Sequence, residues 1–216
     1  MPLKYFLPLY LFAYFCAAFF WRSFMVWKRT GVNPIVFKGS DDAYDFIGRI
    51  FKLLFALIVG VVLVYSFWSS VYVYLMPIEW LEYSWLRLTG IVLLLLSLVW
   101  TVVAQAQMGE SWRIGIDQSH RTNLVQSGVF SLSRNPIFLG MMLTLFGLFL
   151  VIPNALTLLT LGLGVVLIQI QVRLEEVFLA RTHGEEYSLY RIRVRRWSSM
   201  QNSRRCSSRA TPTRGW

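Results

Sequence analysis

Five uninterrupted apolar runs, at about 5 to 21, 53 to 76, 86 to 107, 136 to 152 and 155 to 172, constrain this chain more than any other feature. Each holds roughly 17 to 24 residues, which at about 1.5 Å per residue crosses a hydrocarbon layer about 30 Å thick. Lipid offers no partner for backbone N–H and C=O groups, so runs of this length read as helices. A 216-residue chain that is 56% hydrophobic and 15% charged has no other place for so much apolar surface. The expected fold class is an all-α integral membrane protein with about five transmembrane helices. Only Pro153 and Asn154 separate the last two runs, and both residue types end a helix and turn the chain. A tight antiparallel C-terminal hairpin follows.

Basic residues set a direction. Arg22, Lys28, Arg29, Lys38, Arg49 and Lys52 fall between the first two runs, Arg113, Arg121 and Arg134 before the hairpin, and ten arginines from Arg173 onward. With an odd number of spans these share one side, 19 against Lys4 and Arg87. That places the long loops and the C-terminus in the cytoplasm and the N-terminus outside. The first run has the basic start and apolar middle of a signal peptide. Bulky Phe19, Phe20 and Trp21 stand where a processing site needs small side chains, so it is read as a retained span. Cys16 and Cys206 lack motif spacing and lie at different depths, which argues against a disulfide or thiolate metal site.

Two segments read as interfacial. From Ser40, with Asp41 and Asp42 in the first turn, Phe46, Ile47, Ile50, Phe51 and Leu54 recur at helical spacing, as in a helix lying on the surface before it dives. The stretch EEYSLYRIRVRRW, 185 to 197, carries tyrosines, Trp197 and four arginines suited to an anionic leaflet, or to plain solvation. Beyond it the chain is polar, basic and without periodicity. The expected organisation is 1–107 as three N-terminal spans with a cytoplasmic loop at 22–52, 108–197 as the chemical core, and 198–216 as a disordered basic tail.

Chemistry concentrates at two helix ends. Arg134, Asn135 and Pro136 open the fourth run, after a turn-rich loop containing Ser127 and Gly128. Asparagine suits an N-cap, proline the first helical position, and arginine can snorkel to lipid phosphate. The same helix start offers donors and positive potential to an anion. Where the fifth run leaves the membrane, Gln169, Arg173 and Glu176 are spaced i, i+4 and i+7, with Gln171 and Glu175 on an adjacent face. Polar residues at membrane depth face protein or a water-filled cavity. Because the runs form a hairpin, Arg134 to Phe138 and Gln171 to Glu176 line one cytoplasmic crevice, with Gln105 and Gln107 as its wall. His120 and His183 are isolated, and no metal site is expected. Gly140 and Gly147 share a face and read as close helix packing.

These residues resemble the C-terminal half of the isoprenylcysteine carboxyl methyltransferase family, relatives of membrane phospholipid methyltransferases. The resemblance runs over about 120 to 197 through Leu124 and Val125, Ser127 and Gly128, Phe130, Arg134, Asn135, Pro136, Phe138 and Gly140, then Glu175 and Glu176, then Gly184, Tyr187 and Tyr190. It implies an enzyme using S-adenosylmethionine without a Rossmann domain, in a cytoplasmic cofactor crevice. By carry-over Thr122, Asn123, Leu124, Val125, Phe130, Asn135, Pro136, Ile137, Phe138 and Glu175 would hold the cofactor, while Arg134, Arg173 and Glu176 would serve the reaction. Asn135 replaces the family's histidine, and Phe130 and Phe138 replace tyrosines, leaving aromatic faces beside a sulfonium. Gln171 stands where the family has a substrate arginine, and Arg173 is the nearest replacement.

Methyl transfer from a sulfonium asks mainly for alignment and exclusion of water. Three readings remain open: O-methylation of an isoprenylcysteine-like carboxylate or related amphiphile, N-methylation of a phospholipid or small-lipid amine, and a non-catalytic scaffold or transporter subunit. The expected partners are the bilayer, its anionic headgroups and an amphiphilic or lipidated methyl acceptor, with no nucleic acid.

Overall fold

The computed structural model describes residues 2–31, 43–112 and 123–197. Among them there is no β-strand, only an isolated bridge between Pro77 and Asn154. Helix α1 (Leu3–Phe15), a π-helical stretch (Cys16–Trp21) and α2 (Arg22–Thr30) make one continuous helix, Leu3–Thr30. The first span is thus longer than its apolar run, because arginine and lysine are good helix formers and carry it on to Gly31, whose φ of 68° ends it.

Helix α3 (Ala43–Phe67) corrects the second expectation. The residues expected to lie on the surface before the span dives and the span itself are one unbroken helix, whose Ile47, Leu54, Ile58 and Val61 form a single buried stripe. Ser40, Asp41 and Asp42 lie outside the described residues. The helix also stops nine residues before the apolar run does, at Phe67, among Ser66, Ser69 and Ser70, whose hydroxyls compete for backbone partners. A short turn, α4 (Ser69–Tyr72), then leads to Pro77.

Four further α-helices follow among the described residues: α5 (Ser84–Met108), α6 (Pro136–Val151), α7 (Ala155–His183) and α8 (Glu185–Arg193). Among the described residues four helices, Leu3–Thr30, Asp45–Phe67, Ser84–Met108 and Ala155–His183, are long and apolar enough to cross a membrane; α6 is apolar too but only 16 residues long. Large apolar side chains such as Leu96, Val99, Leu159 and Val166 point outward, as they do in lipid. The architecture is the all-α, multi-pass one expected.

The hairpin turn is tightly specified. Asn154 is fully buried, its side chain accepts from Thr157 N at 2.9 Å, and Thr157 Oγ1 accepts from Asn154 N at 3.1 Å, a reciprocal capping box. Ile78 N donates to Pro153 O at 2.9 Å, which ties the turn to the α4–α5 connection. Alongside, α5 and α6 approach backbone to backbone: a Cβ on Gly90 would meet Gly147 O at 2.7 Å, and one on Gly147 would meet Gly90 O at 3.0 Å. Glycines at the contact let dispersion act over the whole helix face. Ser97 Oγ and Thr144 Oγ1 hydrogen-bond across it at 2.8 Å.

Candidate active site at the α6–α7 helix ends

The start of α6 is held by three elements. From α5, Trp100 Nε1 donates to Pro136 O at 2.8 Å, and Gln107 Oε1 accepts from Val129 N at 2.8 Å in the preceding 3₁₀ turn (Gly128–Ser131). Gly128 adopts φ of 63° directly against the Gln107 amide, where a larger residue has neither the space nor the conformation. From the C-terminal side, Arg134 N donates to Arg195 O at 3.1 Å and Ser133 Oγ to Arg196 O at 2.9 Å, so residues 133–134 and 195–196 run side by side. Tyr190 OH donates to Phe130 O at 2.6 Å, and Gln126 bridges Glu186 and Arg193.

At the centre is Glu176, 9% exposed. Arg196 forks it, Nε to Oε1 at 3.0 Å and Nη2 to Oε2 at 2.7 Å. Arg134 Nη2 reaches Oε1 at 3.4 Å and Asn135 Nδ2 at 3.3 Å. The Arg134 side chain is only 9% exposed, yet its Nε and Nη1 have no hydrogen-bond partner. The Tyr187 hydroxyl, which also makes no hydrogen bond of ordinary length, lies near Arg134; burial, with Glu176 nearby, pushes its phenol above the ordinary value against the opposing pull of that guanidinium. The Glu176 carboxylate in turn holds the Arg196 guanidinium above its ordinary value. Asn135 occupies the N-cap position of α6 without capping it: its side chain serves Glu176, and the first-turn amides receive no side-chain cap.

Arg134, Asn135 and Glu176 are therefore brought together. Phe130 and Leu124 pack beside them, Leu124 against the cluster of Tyr187, Tyr190 and Val194. Pro136 is buried, Ile137 and Phe138 are half-buried, and Phe138 packs on the main core. Asn123 is exposed and accepts from Ser111 Oγ through its carbonyl, Val125 is half-buried, and Thr122 lies outside the described residues. Two residues go elsewhere. Arg173 is exposed and bonds back to Gln169 at 2.7 and 3.0 Å, so the i, i+4, i+7 stripe is split between an outward arginine and an inward glutamate. Glu175, about 100° around the helix from Glu176, pairs with Gln171 Nε2 at 3.3 Å.

Arg196 and Ser133 are the residues sequence reasoning passed over. The segment 185–197 read as a leaflet-bound or solvated helix, but Tyr187, Tyr190 and Val194 are buried against protein. Their i, i+3, i+7 spacing was the available signal. Leu189 and Ile192 form the outward face.

Residues 85–186 match the family model described as phospholipid methyltransferase. No curated protein and no solved structure matches the chain. The matched segment runs from α5 to the first residues of α8 and contains Arg134, Asn135, Glu175 and Glu176. Through that segment the chain, a multi-pass membrane protein, is similar to the phospholipid methyltransferases, and the similarity points to a membrane methyltransferase acting on lipid-related substrates.

Proposed function

We propose that this protein is an S-adenosylmethionine-dependent methyltransferase that O-methylates an isoprenylcysteine-like carboxylate, or a related anionic amphiphile, at the cytoplasmic face of the membrane. The observation that carries the reading is Arg134: a nine-tenths buried guanidinium with two nitrogens unpartnered, at the uncapped N-terminus of a membrane helix. A buried cation with free donors calls for an anionic ligand group, because leaving such donors dry and unmade is costly.

The same features fit S-adenosylmethionine, which supplies a methyl group on an already activated sulfonium. Thr122, Asn123 to Val125, Phe130, Asn135 to Phe138 and Glu175 would hold it; Phe130 and Phe138 offer aromatic faces to a cation, and Glu175 a carboxylate that accepts from the Gln171 amide. Arg134 would orient the anionic head by charge-assisted hydrogen bonds. Glu176 has both oxygens engaged by Arg196, Arg134 and Asn135, so its role is to fix those groups rather than to take a proton. A carboxylate acceptor is ionised at neutral pH and needs no base.

A second reading, N-methylation of a phospholipid amine, draws support from the description of the matched family and from Glu175, which among the described residues faces no cation and would act as base. Methyl-labelling of lipids and proteins in cells separates the two by the acceptor that carries the label. Calorimetry with S-adenosylmethionine in detergent tests both. Wild-type cofactor binding and methylation in Arg134→Ala and Glu175→Ala would end the proposal.

A further inference from the structure

The Arg134–Glu176–Arg196 cluster holds two cations and one anion, an excess of one positive charge in a site closed off by α6, α7 and the strap after α8. Its pairing is unequal. Arg196 takes both carboxylate oxygens, at 3.0 and 2.7 Å, whereas Arg134 touches one at 3.4 Å through a single nitrogen. A carboxylate has room for one fork in its plane, and the shorter one is made by the arginine outside the family-matched segment. That occupation leaves Arg134 Nε and Nη1 without a hydrogen bond of ordinary length, and the Tyr187 hydroxyl, itself without one, lies near enough for the guanidinium to act on it.

We propose that Arg134 and Tyr187 form a subsite for one monoanionic group, carboxylate or phosphate ester, and that Arg196 is the positioning residue that keeps it open by occupying Glu176. The inference rests on the reading of Arg134 as a head-group ligand and adds what sets its availability. Without Arg196, Glu176 is the nearest anion to Arg134 and closes on it, filling the subsite from within. Without Glu176, both guanidiniums are free and the subsite gains charge. The anion has two possible sources: the amino-acid carboxylate of S-adenosylmethionine, or the head of the acceptor.

The test uses the full chain in maltoside micelles, with dodecanoate as anionic probe and dodecylammonium as its cationic match, titrated calorimetrically. Wild type binds dodecanoate in preference to dodecylammonium. Arg196→Gln weakens dodecanoate about tenfold, the scale of one charge-assisted bond, Glu176→Gln strengthens it by a similar factor, and Glu176→Gln combined with Arg196→Gln returns it to near wild type. A purely structural ion pair gives the opposite sign for Glu176→Gln, weakening, and that result overturns the proposal, as do unchanged binding in Arg196→Gln or equal affinity for the two probes. Glu176→Gln retains the backbone contacts of residues 195 and 196, which guards against misfolding of the arginine variant. If S-adenosylmethionine affinity follows the same pattern and its decarboxylated analogue does not, the cofactor supplies the anion; if it stays flat while dodecanoate moves, the acceptor does. Failure of wild type to bind S-adenosylmethionine removes the proposed function, while the dodecanoate series still decides the subsite.

Discussion

Replacing Glu176 with alanine removes the only anion that faces Arg134 in the described structure, and the cost follows from how each partner is buried. At 3.4 Å and an effective dielectric of about 20, the Arg134 contact alone has a gross Coulomb energy of about 5 kcal/mol. Desolvation consumes much of that in the intact pair, so the net worth of the bridge is small. Breaking it is another matter, because Arg134 is 9% exposed and cannot re-solvate. The expected loss is about 3 to 5 kcal/mol. Arg196 is 31% exposed, and its removal leaves Glu176 with Arg134 and Asn135 as partners, so Arg196→Ala costs less, about 1 to 2 kcal/mol. Removing both relieves the frustrated charge, and the double variant falls short of additivity by more than about 1 kcal/mol. Reversible unfolding in mixed micelles, followed by tryptophan fluorescence and circular dichroism, measures all three. Glu176→Ala milder than Arg196→Ala, or additivity within about 0.5 kcal/mol, would refute the assignment of Glu176 as the anion that compensates a buried cation.

Gly90→Ala drives a methyl into Gly147 O at 2.7 Å and Val151 Cγ2 at 2.7 Å, so it destabilises by about 1 to 3 kcal/mol in the same assay; Gly162→Ala meets nothing within 4 Å and is neutral or stabilising. Asn154→Ala removes a capping box and the Nδ2 bond to Ile152 O at 3.0 Å, and lowers unfolding free energy by about 1 to 2 kcal/mol. Tyr190→Phe leaves Phe130 O without its 2.6 Å donor, costs about 1 to 3 kcal/mol, and speeds hydrogen exchange in residues 123–131; unchanged exchange counts against the clamp. Burial raises the Tyr190 phenol above its ordinary 10.0, so the unfolded chain ionises first: this stabilisation is complete below pH 10.0 and fades as pH rises toward the folded value. Alkaline unfolding curves for wild type and Tyr190→Phe should therefore converge above pH 10.0.

Sequence alone was enough for the apolar helical spans, though not for all their ends, and for the hairpin. Apolar length sets spans because lipid leaves backbone groups no outside partner, and Pro153–Asn154 breaks the run whatever surrounds it. It also put Arg134, Asn135 and Glu176 at one level, since a hairpin fixes which helix ends meet. Tertiary structure decided the rest. Whether α3 is one helix or two, which of two adjacent glutamates points inward, and which of many arginines reaches it depend on side-chain direction and on contacts between segments 20 or more residues apart, such as Arg196 with Glu176. Local periodicity carries no information on such pairings: an arginine bound for lipid phosphate and one bound for a buried carboxylate obey the same local rules, and only the packing of Tyr187 and Tyr190 on the loop before α6 separates them.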